Sequence, residues 1–116
     1  ILKRQGFTLD DIDLWELNEA FAAQVLACLA AWEDAGFCRD VLGLAGAAGT
    51  IPRDRLNVDG GAISPGHPVG TSGARILLHL ANALVRHGKT RGIATACVGG
   101  GQGGAMLIER ISGSRP

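Results

Sequence analysis

Few residues of this chain have the chemistry to run a reaction, and two of them sit among glycines. His67 lies in GGAISPGHPVGTSG (60–73), where glycines and two prolines leave little side chain around it. Cys97 closes an apolar run and opens CVGGGQGG (97–104), and Asn18 opens NEAF (18–21). An imidazole takes and returns a proton near neutral pH, and a thiol can act as acid, base or nucleophile. Glycine beside such groups lets a ligand reach the backbone. Each residue also has an ordinary structural role. Asn before an apolar helix is a favoured N-cap. A turn histidine is usually solvated, and a cysteine at a strand end usually behaves as a small hydrophobe.

Other chemistries find less support. GGGQGG (99–104) precedes a strand, whereas a dinucleotide fingerprint opens a helix, and GHPVGTSG (66–73) lacks the lysine of a P-loop. Cys28, Cys38 and Cys97 make an odd count with no CxxC or zinc-ligand spacing, so neither a disulfide framework nor a metal site is expected. Cys28 and Cys38 read as structural, and His79 and His87 as solvated. Eleven basic and eleven acidic residues cancel, leaving no electrostatic footprint for nucleic acid or an anionic membrane. Charged residues or His interrupt every apolar run before it reaches membrane-spanning length. A mean hydropathy of +0.20 with 4% aromatics points to tight Ala/Gly packing and apolar surface left for another domain or subunit. The reducing cytoplasm is the expected compartment.

The elements that must carry these residues follow from the apolar pattern. IDLWELN (12–18) reads as a short buried strand, and residues 18–36 as an alanine-rich helix with no charge between Glu19 and Glu33. Residues 37–55 read as an irregular surface excursion, and LNV (56–58) as a short strand. TSGARILLHLANALVRHG (71–88) is a second helix, with Thr71 or Ser72 as its cap. Ile76, Leu77, Leu80, Leu84 and Val85 form its apolar stripe, and Arg75, His79, Asn82 and Arg86 its polar one. RGIATACV (91–98) is a buried strand, and AMLIERI (105–111) closes a hairpin after the glycine turn. The order predicts an α/β domain over 1–116: a mixed, mostly parallel sheet covered by helices, its last strand antiparallel. Asn18, His67 and Cys97 then converge beyond the carboxyl ends of the strands, where such sheets hold their sites. The chain opens at Ile1, its only methionine is Met106, and ILKRQG reads as the tail of a helix already under way. The expectation is a domain truncated at its N-terminus, a fragment of a longer protein.

NEAFAAQ (18–24), NVDGGAISPGHPVGTSGARI (57–76) and CVGGGQGGAMLIER (97–110) resemble, in that order, three C-terminal signature blocks of the thiolases, the acyl-CoA C-acyltransferases. Ser64, Pro65 and Thr71 depart from the residues more common in that family but leave the histidine in place. The resemblance implies that His67 activates a nucleophilic cysteine and that Cys97 is the second cysteine, an acid/base. It implies that Asn18 holds an oxyanion-hole water, and that the Gly99 amide belongs to a second oxyanion hole. Phe21, Gly66 and Gly100 would line the substrate. It further implies acyl-CoA and CoA as substrates and products, no bound cofactor or metal, and a homodimer or homotetramer in the complete protein. The nucleophile's motif is not found at Cys28 or Cys38, so it would lie in an N-terminal half outside this chain. A first strand lost with that truncation would leave the last strand of the sheet unpaired. The rival readings are a non-catalytic lipid-carrier or scaffold fragment and a nucleotide-binding module.

Overall fold

A computed structural model describes residues 1–111. Helix α1 (Leu2–Gln5) ends at Gly6, whose left-handed φ of 71° makes it a helix stop. Strand β1 (Leu14–Leu17), helix α2 (Ala22–Glu33), helix α3 (Ala35–Asp40), helix α4 (Val69–Arg86), strand β2 (Arg91–Gly99) and strand β3 (Gln102–Glu109) follow. The three strands form one mixed sheet in the order β1-β2-β3. β1 and β2 run parallel, with Leu14 beside Gly92 and Leu17 beside Thr95. β2 and β3 run antiparallel, as expected of the closing hairpin, from Arg91–Glu109 to Gly99–Gln102.

The parallel part is shorter than the sequence suggests. Residues 56–58 supply a single parallel bridge, Trp15 to Leu56, in place of a strand. The reason is Asn57, which takes a left-handed φ of 46° and turns the chain away. Its side chain then does a strand's work. Asn57 Nδ2 donates to Leu17 O (3.0 Å), and Leu17 N donates to Asn57 Oδ1 (2.9 Å). Asn57 N also donates to Trp15 O at 2.8 Å. Glu19, just past β1, completes the dock, accepting from Asn57 Nδ2 (3.1 Å) and from Ile63 N (3.0 Å). A Cβ on Gly61 would overlap the Glu19 carboxylate, so any larger residue there pushes Glu19 aside.

Both faces of the sheet are buried at β1, which is why its four residues read as a continuous apolar run broken only by Glu16. Trp15 and Leu17 join Ile93, Val25 and Leu29 on the face covered by α2. Leu14 joins Ile76, Leu80, Leu84 and Ala94 on the face covered by α4. α2 buries only Val25 and Leu29, so it is a covering helix here, not a central one, with Leu26 exposed on its outer side. It also ends earlier than predicted. Asp34 accepts from Phe37 N (2.8 Å) and starts α3, so Gly36 lies inside a second helix. Cys38 on α3 is fully buried, as a structural thiol should be.

α4 runs antiparallel to β2. Leu80 lies so close to Gly92 that a Cβ there would come within 2.6 Å of Leu80 Cδ1. Gly73, Ala74 and Leu77 border a groove shared with Ala96 and Val98. The start of α4 therefore stands beside the carboxyl end of β2.

Two stability effects follow. Asp13 accepts from the backbone N–H of Thr90 and of Arg91, each at 2.9 Å, tying the entry of β1 to that of β2. The Arg91 bond, helped by Thr90, holds the Asp13 carboxyl below the usual carboxylate range. A depressed carboxylate stabilises the fold above its ordinary pKa and ceases to do so as pH falls through the folded value. Asp13→Ala is expected to cost about 1 kcal/mol above pH ~5, with the difference from wild type shrinking below pH ~4 in urea melts. Gly61→Ala is expected to cost about 1–3 kcal/mol by the same measurement, because it drives Glu19 off Asn57 and Ile63. Glu19→Ala in the Gly61→Ala background is expected to cost less than it does alone.

Candidate active site

His67 stands two residues before α4 and is half-buried. Its Nδ1 lies 2.7 Å from Ser72 Oγ, and that hydroxyl donates in turn to Pro68 O at 3.1 Å. Ser72, predicted as a helix cap, instead lies within the first turn of α4, which starts at Val69 with no side-chain cap. It is 2% exposed and spends its hydroxyl on the histidine. With its one hydrogen given to Pro68, Ser72 Oγ can only accept from the ring, so Nδ1 carries the proton. Nε2 is left with its lone pair. That is the neutral tautomer of a general base.

The segment leading to His67 is pinned at several points. Gly60 and Gly66 take left-handed φ values of 89° and 90° that favour glycine. Arg75 Nη2 donates to Gly66 O, one residue before the histidine.

Asn18 continues β1 by one residue, donating its N–H to Thr95 O at 2.9 Å. The cap of α2 is Phe21, three residues later, so Asn18 is not the helix N-cap. Its side chain is 1% exposed, yet neither Oδ1 nor Nδ2 meets a hydrogen-bond partner among the described residues. A buried amide left unpaired costs about 1–3 kcal/mol, and no contact within the fold offsets that cost here. Phe21 itself is 76% exposed.

Cys97 lies on β2, two residues beyond the Leu17–Thr95 pair, opposite Gly103 of β3. Its thiol is free and exposed, and the glycine opposite presents no side chain to cover it. The ladder slips between Cys97 and Gly99, a bulge of the kind that re-aims side chains. Gly99, Gly100 and Gly101 follow with left-handed φ values of 92°, 61° and 74°. Nothing lies within 4 Å of where a Cβ would stand on Gly66, Gly99 or Gly100.

Asn18, Cys97 and the start of α4 with His67 thus occupy one end of the sheet, the carboxyl end of β1 and β2. Among the described residues no cluster of His, Cys, Asp or Glu is arranged to hold a metal, and no helix is long and apolar enough to cross a membrane. Sequence reasoning missed Ser72, Asn57 and Glu19 as supports. It also placed His79 in solvent, whereas both of its ring nitrogens face carboxylates, Glu16 and Asp59. The available signal was a lone Glu16 in an apolar strand, opposite a helix with one histidine on its polar stripe.

The chain is similar to known proteins along nearly its whole length. The profile of the family described as "Thiolase, C-terminal domain" matches residues 1–110. The acetyl-CoA acetyltransferase of Escherichia coli (strain K12) is 48% identical over 111 residues, covering 96% of this chain and 24% of that protein. The probable 3-ketoacyl-CoA thiolase of Caenorhabditis elegans is 42% identical over 109 residues, covering 94% and 24%. The crystal structure of the Bacillus anthracis acetyl-CoA acetyltransferase superposes with a TM-score of 0.72 at 40% identity, covering 93% of this chain and 23% of that one. The chain spans about a quarter of the length of these relatives. With this match along nearly its whole length, the chain belongs to the thiolase family, to which it corresponds as the C-terminal domain.

Proposed function

We propose that this chain supplies the proton-handling half of an acyl-CoA C-acyltransferase that works through an acyl-cysteine whose sulfur lies outside it, on an N-terminal half. The observation that carries the reading is the His67–Ser72–Pro68 relay, which leaves Nε2 free to accept a proton. An ordinary thiol is mostly protonated at neutral pH and needs such a base before it can attack a carbonyl.

In the thiolytic direction, His67 Nε2 takes the proton of the attacking thiol as its sulfur bonds the 3-keto carbon. The resulting oxyanion draws on a water held by Asn18 and on His67 itself. Collapse breaks the bond between the α- and β-carbons and releases the acetyl-CoA carbanion, which the Cys97 thiol protonates. The Cys97 thiolate then takes the proton of an incoming CoA thiol, whose sulfur attacks the acyl-cysteine. The second oxyanion uses the Gly99 amide, and expulsion of the cysteine sulfur, which takes its proton back from His67, frees the shortened acyl-CoA. Removing one oxyanion donor costs about 3–4 kcal/mol where it has been measured, so Asn18 and Gly99 carry large roles. Exposed Phe21 and the open backbone at Gly66 and Gly100 suit contact with the pantetheine or acyl part. CoA is substrate and product, so no resident cofactor or metal is needed. In this reading the complete protein is a homodimer or homotetramer of the cytoplasm.

The 116-residue chain by itself is expected to show no acyl transfer, and turnover by it would overturn the missing-nucleophile reading. Grafted in place of the matching quarter of the E. coli relative, it is expected to support thiolysis. His67→Ala in that chimera is expected to lower acyl-cysteine formation by about 10²–10⁴-fold, measured by burst kinetics. Undiminished acylation would favour the carrier or scaffold reading. Ser72→Ala, which frees Nδ1 to exchange roles with Nε2, is expected to lower kcat at least ~10-fold with KM nearly unchanged.

A further inference from the structure

The polar stripe of α4 grips more than the histidine that precedes it. One turn beyond Arg75, His79 is held at both ring nitrogens. Nδ1 lies 2.7 Å from Glu16 Oε1 of β1, and Nε2 lies 2.8 Å from Asp59 Oδ2. With both carboxyls ionised, two acceptors call for two N–H donors, and an imidazole offers two only with a hydrogen on each nitrogen. Glu16 is 3% exposed, and His79 is its side-chain partner among the described residues. A buried carboxylate that loses such a partner is left uncompensated. Asp59 starts the turn that runs through Gly60 and Gly61 toward His67, and Arg86 pairs with the same Asp59 oxygen. The cluster walls a cleft of about 410 Å³ whose other side is Gly60, Gly61 and Pro65.

We propose that His79 is a positioning residue. As an imidazolium it bridges Glu16 and Asp59, so a proton shared by strand, helix and turn holds residues 59–61, and through them the His67 loop. The clamp stands on contacts within the chain. Only its consequence for turnover rests on the catalytic reading of His67. The charged groups around the ring are Glu16 from β1, Asp59 from the turn, Arg86 behind Asp59 and Arg75 along the same cleft, with Glu19 acting on Glu16 from just past β1. Burial pushes the Glu16 carboxyl up, partly offset by His79, while the His79 and Arg86 hydrogen bonds hold the Asp59 carboxyl down. Loss of the ring's second hydrogen breaks one bond of the bridge, so the turn loosens on the alkaline side.

The test is ¹⁵N NMR of the full 116-residue chain with labelled imidazoles. Below the His79 midpoint both ring nitrogens are expected to give imidazolium shifts, and the Gly60 and Gly61 amide resonances to titrate with that same midpoint. Above it, amides of residues 60–66 are expected to exchange roughly tenfold faster, after correction for intrinsic pH dependence. His79→Gln, whose single nitrogen cannot span both carboxylates, is expected to show the faster exchange at every pH while the α4 amides keep their protection. Glycine amides that ignore the His79 midpoint, or wild-type protection in His79→Gln, would overturn the clamp. If His79→Gln does not fold, the wild-type titration decides alone. In the chimera, His79→Gln is expected to lower kcat. A chimera inactive with His79 intact would count against the catalytic reading, and the clamp would still stand or fall on the NMR titration.

Discussion

A glycine-rich loop cannot hold itself in one place, and the hydrogen bonds from α4 are what fix this one. Fixing a residue's backbone costs about 1–2 kcal/mol, and glycine has most to lose. The segment 59–67 buries little apolar surface to offset that. Ser72, Arg75, His79 and Arg86 fall on one side of α4 and reach His67, Gly66 and Asp59. Each bond is worth about 1 kcal/mol net, somewhat more where charge is involved. Together they turn a flexible stretch into an extension of a rigid helix. The helix is rigid because its other side is buried against the sheet through Ile76, Leu80 and Leu84.

The same logic runs through β1. Its second face must accept α4, so the residue there that is not apolar, Glu16, requires a partner on that helix, and His79 is placed to be it. Its outer edge must accept the chain returning from the surface excursion, and Asn57 does this with a side-chain amide in place of a full strand. Asn18 is carried to the sheet end by the last bond of the parallel ladder. Site and scaffold are therefore not separable layers. The groups that close the sheet are neighbours in sequence of the groups proposed for the chemistry.

Much of this is legible in the residues. Period and composition find every strand of the sheet and both long helices, because β1, β2 and α4 carry clear apolar patterns. The NEAF motif and the two glycine-rich motifs locate the sheet end that gathers Asn18, His67 and Cys97. What stays hidden are side chains acting out of local character. Ser72 has the sequence context of a cap, and Asn57 that of a strand residue. The polar stripe of α4 reads as solvated because a helix pattern shows which side is apolar, not what covers the other side. Asn18 reads as a cap because the gap of three residues before α2 depends on Glu19 being drawn toward Asn57, a pairing 38 residues apart.

The order of closure in the sheet bears on how the site comes together during folding. β2 and β3 meet across a turn of two glycines, and α4 precedes them directly, so these elements can associate with little loop-closure entropy. β1 pairs with β2 from Leu14 to Gly92, across most of the chain's length. Such long-range parallel pairing is slow and is rewarded only after most of the chain has been confined. His67 and Cys97 therefore belong to the part that can assemble early, and Asn18 to the part that arrives last. A half-folded chain would own an imidazole and a thiol on one subassembly, without the amide that completes their setting.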